Sequence, residues 1–353
     1  MSSLLDLLRA TPGTPDALRS ALAALDEEEL VAKCARHGLS GLADYHLRQA
    51  GLALSEPAAG ALRRGAMSTA VLGIKVKKLL LQSLDALARR NIVPVVLKGY
   101  GLALRCYPDP LYRPMTDVDL LIAREELPAA EAALAEIGVR KNEPLENYQL
   151  AHHHHLNFYG ALGSVELHFR AITGFGGAIE ADDLLARSLE GRLEDRWVRY
   201  LGSEDELVYL ATHATQHLFK GVGWLYDLKL FIRRYPCLDW GAVIAVARQT
   251  GMQAPVYFAL QTAHRALAAE VPEGVLAQLR PALWQVLLGN IIFSRRHLVD
   301  RSFAELRYSW MVRPFLASNL LNVLRSMLFL GWRAPLRKLA RHFPNMVPAH
   351  WRA

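Results

Sequence analysis

The chain has 353 residues, 52% of them hydrophobic and 21% charged, which supplies a sizeable core and excludes disordered and collagen-like classes. Its three cysteines, Cys34, Cys106 and Cys237, are far apart and odd in number; a disulfide framework or cysteine-rich zinc site is excluded, and a reducing cytoplasm is the expected compartment. The formal charge of +7 is uneven, because eleven arginines and lysines from Arg295 onward face only Asp300 and Glu305.

The opening MSSLLDLLRATPGTP has no basic n-region, and Asp6 interrupts its apolar run, so a secretory signal is not expected. Residues 1–90 read as a helical region: Asp26 to His37 and Ala58 to Arg90 carry apolar residues at three- and four-residue intervals, with Gly, Ser and Pro between such runs. The pattern changes at Ile92. IVPVVLKG reads as a short strand ending in glycine, YGLALRCY as a short helix, YPDPLYRPMT as a proline-punctuated loop and DVDLLI as a second strand. An amphipathic helix follows Arg124, then strands at His153 to Tyr159 and Val165 to Arg170 around the turn-like GALGS. Strands with intervening helices predict an α/β or α+β core over 91–200.

From Ser203 the helical period returns. SEDELVYLATHATQHLF predicts Ser203 as N-cap and Glu206 as its capping-box partner, and further helices follow in WLYDLKLFIRRY and DWGAVIAVARQTG. A helical domain is expected over 201–300 and a basic, apolar helical tail over 301–353. Pro314 to Trp332 is about the minimum length for a bilayer crossing, but Arg325 inside it would cost roughly 2.5–3.5 kcal/mol near mid-membrane. A buried or interfacial helix is expected instead. The tail suits an anionic membrane surface or a protein partner. Nucleic acid, which would also attract basic charge, ranks lower because the basic residues are interleaved with apolar ones. The expected location is cytoplasmic, with peripheral attachment at the inner membrane surface as the tail's option.

The densest chemistry lies in VVLKGYGLALRCYPDPLYRPMTDVDLLI, Val95 to Ile122. Alternate strand side chains share a face, so Asp117 and Asp119 project together while Val118 and Leu120 turn to the core. Two carboxylates so close repel unless a cation lies between them. Oxygen-ligated Mg²⁺ (or Mn²⁺) meets that need, and metal pairs about 3.5–4 Å apart serve in-line displacement at phosphorus. Glu166 in VELHF is placed to complete the set from another strand, sharing its face with His168. An isolated Asp-x-Asp is otherwise a solvated strand end; Lys98-Gly99 and Arg113 beside it favour a site.

LKG followed by an LA-containing helix, YPDPxxRPMxDVDLL and VELH together resemble the uncharacterised nucleotidyltransferase family, a branch of the DNA polymerase β-like superfamily. The resemblance runs from about Pro94 to Arg170 and more weakly into HATQH and WLYDLKL. It implies an α+β fold, with a small mixed-sheet core flanked by N- and C-terminal helical regions. It also implies transfer of a nucleoside monophosphate from an NTP, such as ATP, with pyrophosphate leaving. Asp117 and Asp119 would hold the catalytic metals, and Glu166 would be the third ligand or the base. Gly99 would open the helix whose N–H groups cradle the triphosphate, with Tyr100 beside it, and Lys98 and Arg113 would meet phosphate charge. The superfamily generally has Gly-Ser at that helix start, whereas Tyr100 follows Gly99 here, so a serine contact to phosphate is missing.

His213 and His217 stand at helical i, i+4 spacing but lack the glutamate of a zincin motif; core or interdomain hydrogen bonding is expected, with His213 near the cleft. Asp227 is a candidate for the same cleft. Alternation predicts His152 and His154 on one face of a strand and His153 and His155 on the other, poor for four-fold metal ligation. The expected function is metal-dependent nucleotidyl transfer to a hydroxyl-bearing small molecule, saccharide or protein. The same residues also suit a catalytically weak, antitoxin-like binding protein of the same fold, or a nucleic-acid-modifying enzyme.

Overall fold

The computed structural model describes residues 3–9, 26–141, 153–300 and 309–327. The N-terminal region is helical: α1 is Ser3–Arg9, α2 Glu27–His37, α3 Ser40–Gln49 and α4 Glu56–Ala88. Asp26 starts α2 because its carboxylate accepts from the N–H groups of Glu28 and Glu29, donors that a helix start leaves unpaired. The long α4 buries Val76, Leu79, Leu80, Leu84 and Leu87 at helical spacing. Each such burial contributes about 1.5–3 kcal/mol, and the stripe holds α4 against the sheet.

The sheet comprises β1 Val95–Leu97, β2 Asp117–Leu121, β3 His155–Gly160, β4 Gly163–His168, β7 Leu189–Leu193 and β8 Arg196–Tyr200, in the order β3-β4-β2-β1-β8-β7. The β2–β4 and β1–β8 pairs are parallel and the others antiparallel. A separate hairpin joins β5 Arg170–Gly174 to β6 Gly177–Glu180. The fold is therefore α+β around a mixed sheet. The β5–β6 and β7–β8 hairpins go beyond the sequence reading; β7 and β8 expose Leu189 at 59% and Trp197 at 61%, so an edge hairpin carries little inward-outward contrast to read.

Three helices punctuate the sheet: α5 Gly99–Cys106, α6 Leu127–Glu136 and α7 Ala181–Arg187. The helical region that follows holds α8 Ser203–Gln216, α9 Val222–Arg234, α10 Trp240–Gln249, α11 Gln253–Leu267, α12 Glu273–Leu279, α13 Leu283–Ile292 and α14 Arg295–Val299. A 3-10 segment at Ser309–Leu316 and a helix over 320–327 follow. Most of the expected tail, 301–308 and 328–353, lies outside the described residues. Within them the apolar stretch is broken at 317–319 and Arg325 is exposed, and no single helix is long and apolar enough to cross a membrane.

The capping box expected at Ser203 is replaced by something stronger. Ser203 is the first residue of α8, Gly202 holds the cap position without a side-chain bond, and Glu206 takes the Arg105 guanidinium at 2.6 and 2.8 Å. A two-pronged charged pair outcompetes a single backbone N–H for that carboxylate. Arg105 on α5 is thereby fixed to α8. A second buried pair, Arg113 with Asp227, ties the loop before β2 to α9. These two ties hold the helical region over the open face of the sheet.

Candidate active site

Register brings the acidic residues together. Asp119 lies opposite Leu97 of β1 on one side and Glu166 of β4 on the other, and Asp117 lies opposite Ser164. Alternation then turns Asp117, Asp119, Glu166 and His168 to one face, while Val118, Leu120, Val165 and Leu167 are buried on the other.

Lys98 follows β1 and caps α5 at φ 32 and ψ −135, a conformation costing a side-chain-bearing residue about 1–3 kcal/mol. Its ammonium lies 2.6 Å from Asp119 Oδ2 and 3.7 Å from Asp117 Oδ2. His168 Nε2 approaches Asp119 Oδ1 at 3.2 Å and Glu166 Oε2 at 3.5 Å. The Asp119 side chain has no exposed surface. Burial alone would raise its pKa, but Lys98 and His168 hold it well below the usual carboxylate range. Burial, then the charge of Asp119, pushes Asp117 up. Against the opposing effect of burial, Asp119 and Glu166 raise His168 to about 9. Three carboxylates thus face two cations, an arrangement that still attracts positive charge.

The donor set fits a hard divalent cation, since Asp117, Asp119 and Glu166 offer oxygens. Asp119 Oδ2 is buried and makes no hydrogen bond; its 2.6 Å contact with Lys98 is an ion pair off the hydrogen-bonding angle, leaving a lone pair free. Asp119, Glu166 and His168 also bring one donor atom each within 4.8 Å of one another.

At the start of α5, Gly99 has φ +51, and a Cβ built there would meet nothing within 4 Å. Glycine answers the backbone turn here, and the helix start faces open space with its first N–H groups unpaired. Tyr100 is buried, with Lys77 Nζ 5.5 Å from its ring centroid. Its side chain packs in the core, so only its backbone N–H remains at the helix start.

Two expected site residues neutralise each other instead. Arg113 Nε and Nη2 donate to Asp227 Oδ1 and Oδ2 at 2.9 and 2.8 Å, and the Tyr107 hydroxyl donates to Oδ1 at 2.7 Å. Both side chains are at most 5% exposed. A guanidinium this desolvated needs a carboxylate equally desolvated, and Asp227 supplies it; Asp109, nearer in sequence, accepts from the N–H of Leu111. Arg113 reaches the cluster as a buried charge that lowers the pKa of Asp117.

The helix α8 covers the acidic face. His213 is half-buried, 4.6 Å from the His217 ring and 5.4 Å from Trp224. Burial, then the charge of Lys98, holds it well below its ordinary pKa. Burial and Lys98 bring His217 down to about 4. One turn earlier, the Tyr209 hydroxyl is buried without a hydrogen-bond partner and sits within the field of Asp119, Glu166 and Asp117.

Of the histidine tetrad, His152 lies outside the described residues, whereas His154 and His155 pack against His168 at 5.5 and 5.0 Å between ring centroids. His155 Nε2 is 3.7 Å from Glu166 Oε2, and His154 Nδ1 is 3.1 Å from Thr173 Oγ1. The predicted split between faces fails for these two because β3 begins only at His155, so strand alternation does not reach His154. The sequence held a signal for His155: a tight turn pairing Gly160 with Gly163 counts back to His155 opposite His168, the observed register. Nothing in the sequence separates Tyr209 from an ordinary core tyrosine.

Residues 23–268 match the sequence profile of a family described as uncharacterised nucleotidyltransferase. Among solved structures, the antibiotic-resistance factor ANT(2'')-Ia is similar at 17% identity, over 53% of this chain and 96% of that one, with a TM-score of 0.37. No curated protein matches the chain.

Proposed function

The chain belongs to the uncharacterised nucleotidyltransferase family, and from that premise we propose that it moves a nucleoside monophosphate from an NTP to a hydroxyl-bearing acceptor, a small molecule, saccharide or protein, with release of pyrophosphate. The observation that carries this reading is the convergence of Asp117, Asp119 and Glu166 on one face of adjacent strands, beside the open start of α5. In the step proposed, the acceptor oxygen bonds to the α-phosphorus and the α–β phosphoanhydride bond breaks. Its electron pair leaves with pyrophosphate, and the hydroxyl proton passes to Glu166 or to water.

Asp117 and Asp119 would hold Mg²⁺ or Mn²⁺, with Glu166 as third ligand or proton acceptor. The bound metal would neutralise charge on the phosphates and align them for displacement. Lys98 keeps Asp119 ionised and, as the residue preceding α5, stands where a phosphate would meet the helix start. Arg113 acts through Asp227 and Tyr107, fixing the loop that leads into β2. Tyr209 and His213 close the face from above and exclude water, which strengthens every charge interaction beneath them.

The test is labelling. Wild-type protein incubated with each α-labelled NTP, Mg²⁺ or Mn²⁺ and cell extract is expected to pass label to protein, polymer or small-molecule fractions. Asp117→Asn and Asp119→Asn should abolish that label. Label that persists in both variants would overturn the assignment. Glu166→Gln separates its two roles: weaker metal binding marks a ligand, and slower transfer with unchanged metal binding marks the proton acceptor.

A further inference from the structure

Beyond the acidic cluster, a cavity of about 460 Å³ opens between the β5–β6 hairpin and the 309–327 segment. Its volume is within the range that holds small organic ligands. Among the described residues, three guanidiniums line it, from Arg170, Arg313 and Arg325, with one carboxylate, Glu180. Arg170 is already engaged, its Nε 3.1 Å from Glu180 Oε2. Arg313 and Arg325 meet no acid among the described residues, and both present exposed surface. Ser326, also on the wall, has a buried hydroxyl without a hydrogen-bond partner.

The walls are held in place by tight packing. A Cβ at Gly176 would fall 2.6 Å from the Asn322 carbonyl oxygen, so the hairpin turn and the 320–327 helix touch at a point where only glycine fits. The cavity also adjoins the acidic cluster. Thr173 on its wall accepts from Gln216 Nε2 through its carbonyl at 3.0 Å and meets His154 Nδ1 through its hydroxyl at 3.1 Å. The His154 ring in turn packs on His168, and the charge of Arg313 reaches His217.

We propose that this cavity binds the phosphate of a phosphomonoester and that, resting on the nucleotidyl-transfer reading above, this ester is the acceptor. Among the described lining residues, three guanidiniums against one carboxylate leave two positive charges, which match a phosphomonoester of about −2; a carboxylate would leave one unbalanced. Guanidinium forks fit phosphate oxygens in pairs, and the Ser326 hydroxyl supplies a further donor. His154 and Thr173 lie between the cavity and the metal-binding carboxylates, so the phosphate is held apart from the reacting centre while a hydroxyl elsewhere on the ester reaches toward Glu166.

Calorimetry on the full chain tests this with inorganic phosphate, glucose 6-phosphate, glucose and a non-hydrolysable ATP analogue with Mg²⁺. Phosphate and glucose 6-phosphate are expected to bind and glucose to give no heat. Arg313→Ala and Arg325→Gln, with melting temperatures checked against wild type, should each weaken glucose 6-phosphate at least tenfold and leave the ATP analogue unchanged. Asp117→Asn/Asp119→Asn should weaken only the ATP analogue. Failure of phosphate and glucose 6-phosphate to bind, or binding unchanged by both arginine substitutions, would overturn the pocket. Loss of the ATP analogue with Arg313→Ala would overturn it as well, by assigning the arginines to the nucleotide. Sound phosphate binding in a protein that transfers no label would leave the pocket standing and remove its acceptor role, so the two readings fail separately.

Discussion

Asp117 and Asp119 are two residues apart on one strand, yet their surroundings give them opposite stability effects. Asp119 answers the buried charges of Lys98 and His168, whereas Asp117 is 30% exposed on its side chain and carries the repulsion of Asp119. Asp119→Asn leaves two cations short of a partner and is expected to cost about 3–5 kcal/mol. Asp117→Asn removes a disfavoured charge and should change stability by no more than about 1 kcal/mol, toward greater stability. Both variants should lose transfer activity. Urea midpoints without added metal check the contrast, and equal losses in the two variants would refute it. The sequence pattern displays both aspartates equally, through strand period and motif; the partner that separates them, His168, is 49 residues away and is set beside Asp119 by the β2–β4 register.

Among elements, the informative contacts join segments that no local pattern links. The helices and the four strands nearest the motifs were legible because each carries its own period or turn residues. The Arg113–Asp227 pair was not, since it spans 114 positions; the sequence marks both residues as charges in apolar company and leaves their partners open. Removing one partner of so buried a pair should be far worse than removing both, because the cost is the stranded charge. Arg113→Met or Asp227→Leu alone is expected to lose about 3–5 kcal/mol, and the double variant to recover a large part of it. Thermal melts across that double-mutant cycle test the coupling; additive losses would argue against it.

A second contact between elements titrates. His46 on α3 has Nε2 2.8 Å from the Tyr226 hydroxyl on α9, and burial, then the charges of Lys229 and Arg233, brings its pKa down to about 4. A histidine depressed from an unfolded value of about 6.5 binds fewer protons in the folded state, so its stabilising effect is present above pH 6.5 and is lost as pH falls toward 4. Between pH 7 and 5 the loss is on the order of 2 kcal/mol. His46→Gln preserves a hydrogen-bonding group and cannot charge; its stability should fall less than that of wild type over the same interval. Parallel declines of the two proteins in urea titrations at pH 7 and 5 would place the acid sensitivity elsewhere.

At the scale of the whole molecule, the regions suggested by composition, 1–90, 91–200, 201–300 and 301–353, share one apolar core. Buried hydrophobic side chains run without interruption from Leu4 through the sheet to Val323. The charged ties cross the same boundaries. Arg105 and Arg113 of the sheet region find their carboxylates at Glu206 and Asp227, and Lys229 of α9 donates to the carbonyls of Leu8 and Arg9 at the end of α1. A piece containing only 91–200 would carry the three clustered carboxylates but would leave Arg105 and Arg113 unpartnered. It would also strip α4 and α8 from the two faces of the sheet. That exposure outweighs anything a short mixed sheet gains by itself, since domain stability is a small difference between large terms. The fragment is therefore expected to remain unfolded, and the full chain to unfold in one transition. Far-ultraviolet circular dichroism, which follows all the helices, should coincide in urea with tryptophan fluorescence, to which Trp224 beside His213 contributes. Separated transitions, or a 91–200 fragment with dispersed amide resonances, would mean that the sheet is an autonomous unit. Coincidence would mean that the helical region is part of the construction of the carboxylate cluster, because Tyr209 and His213 cannot be removed from beside the carboxylates without unfolding the strands that carry them.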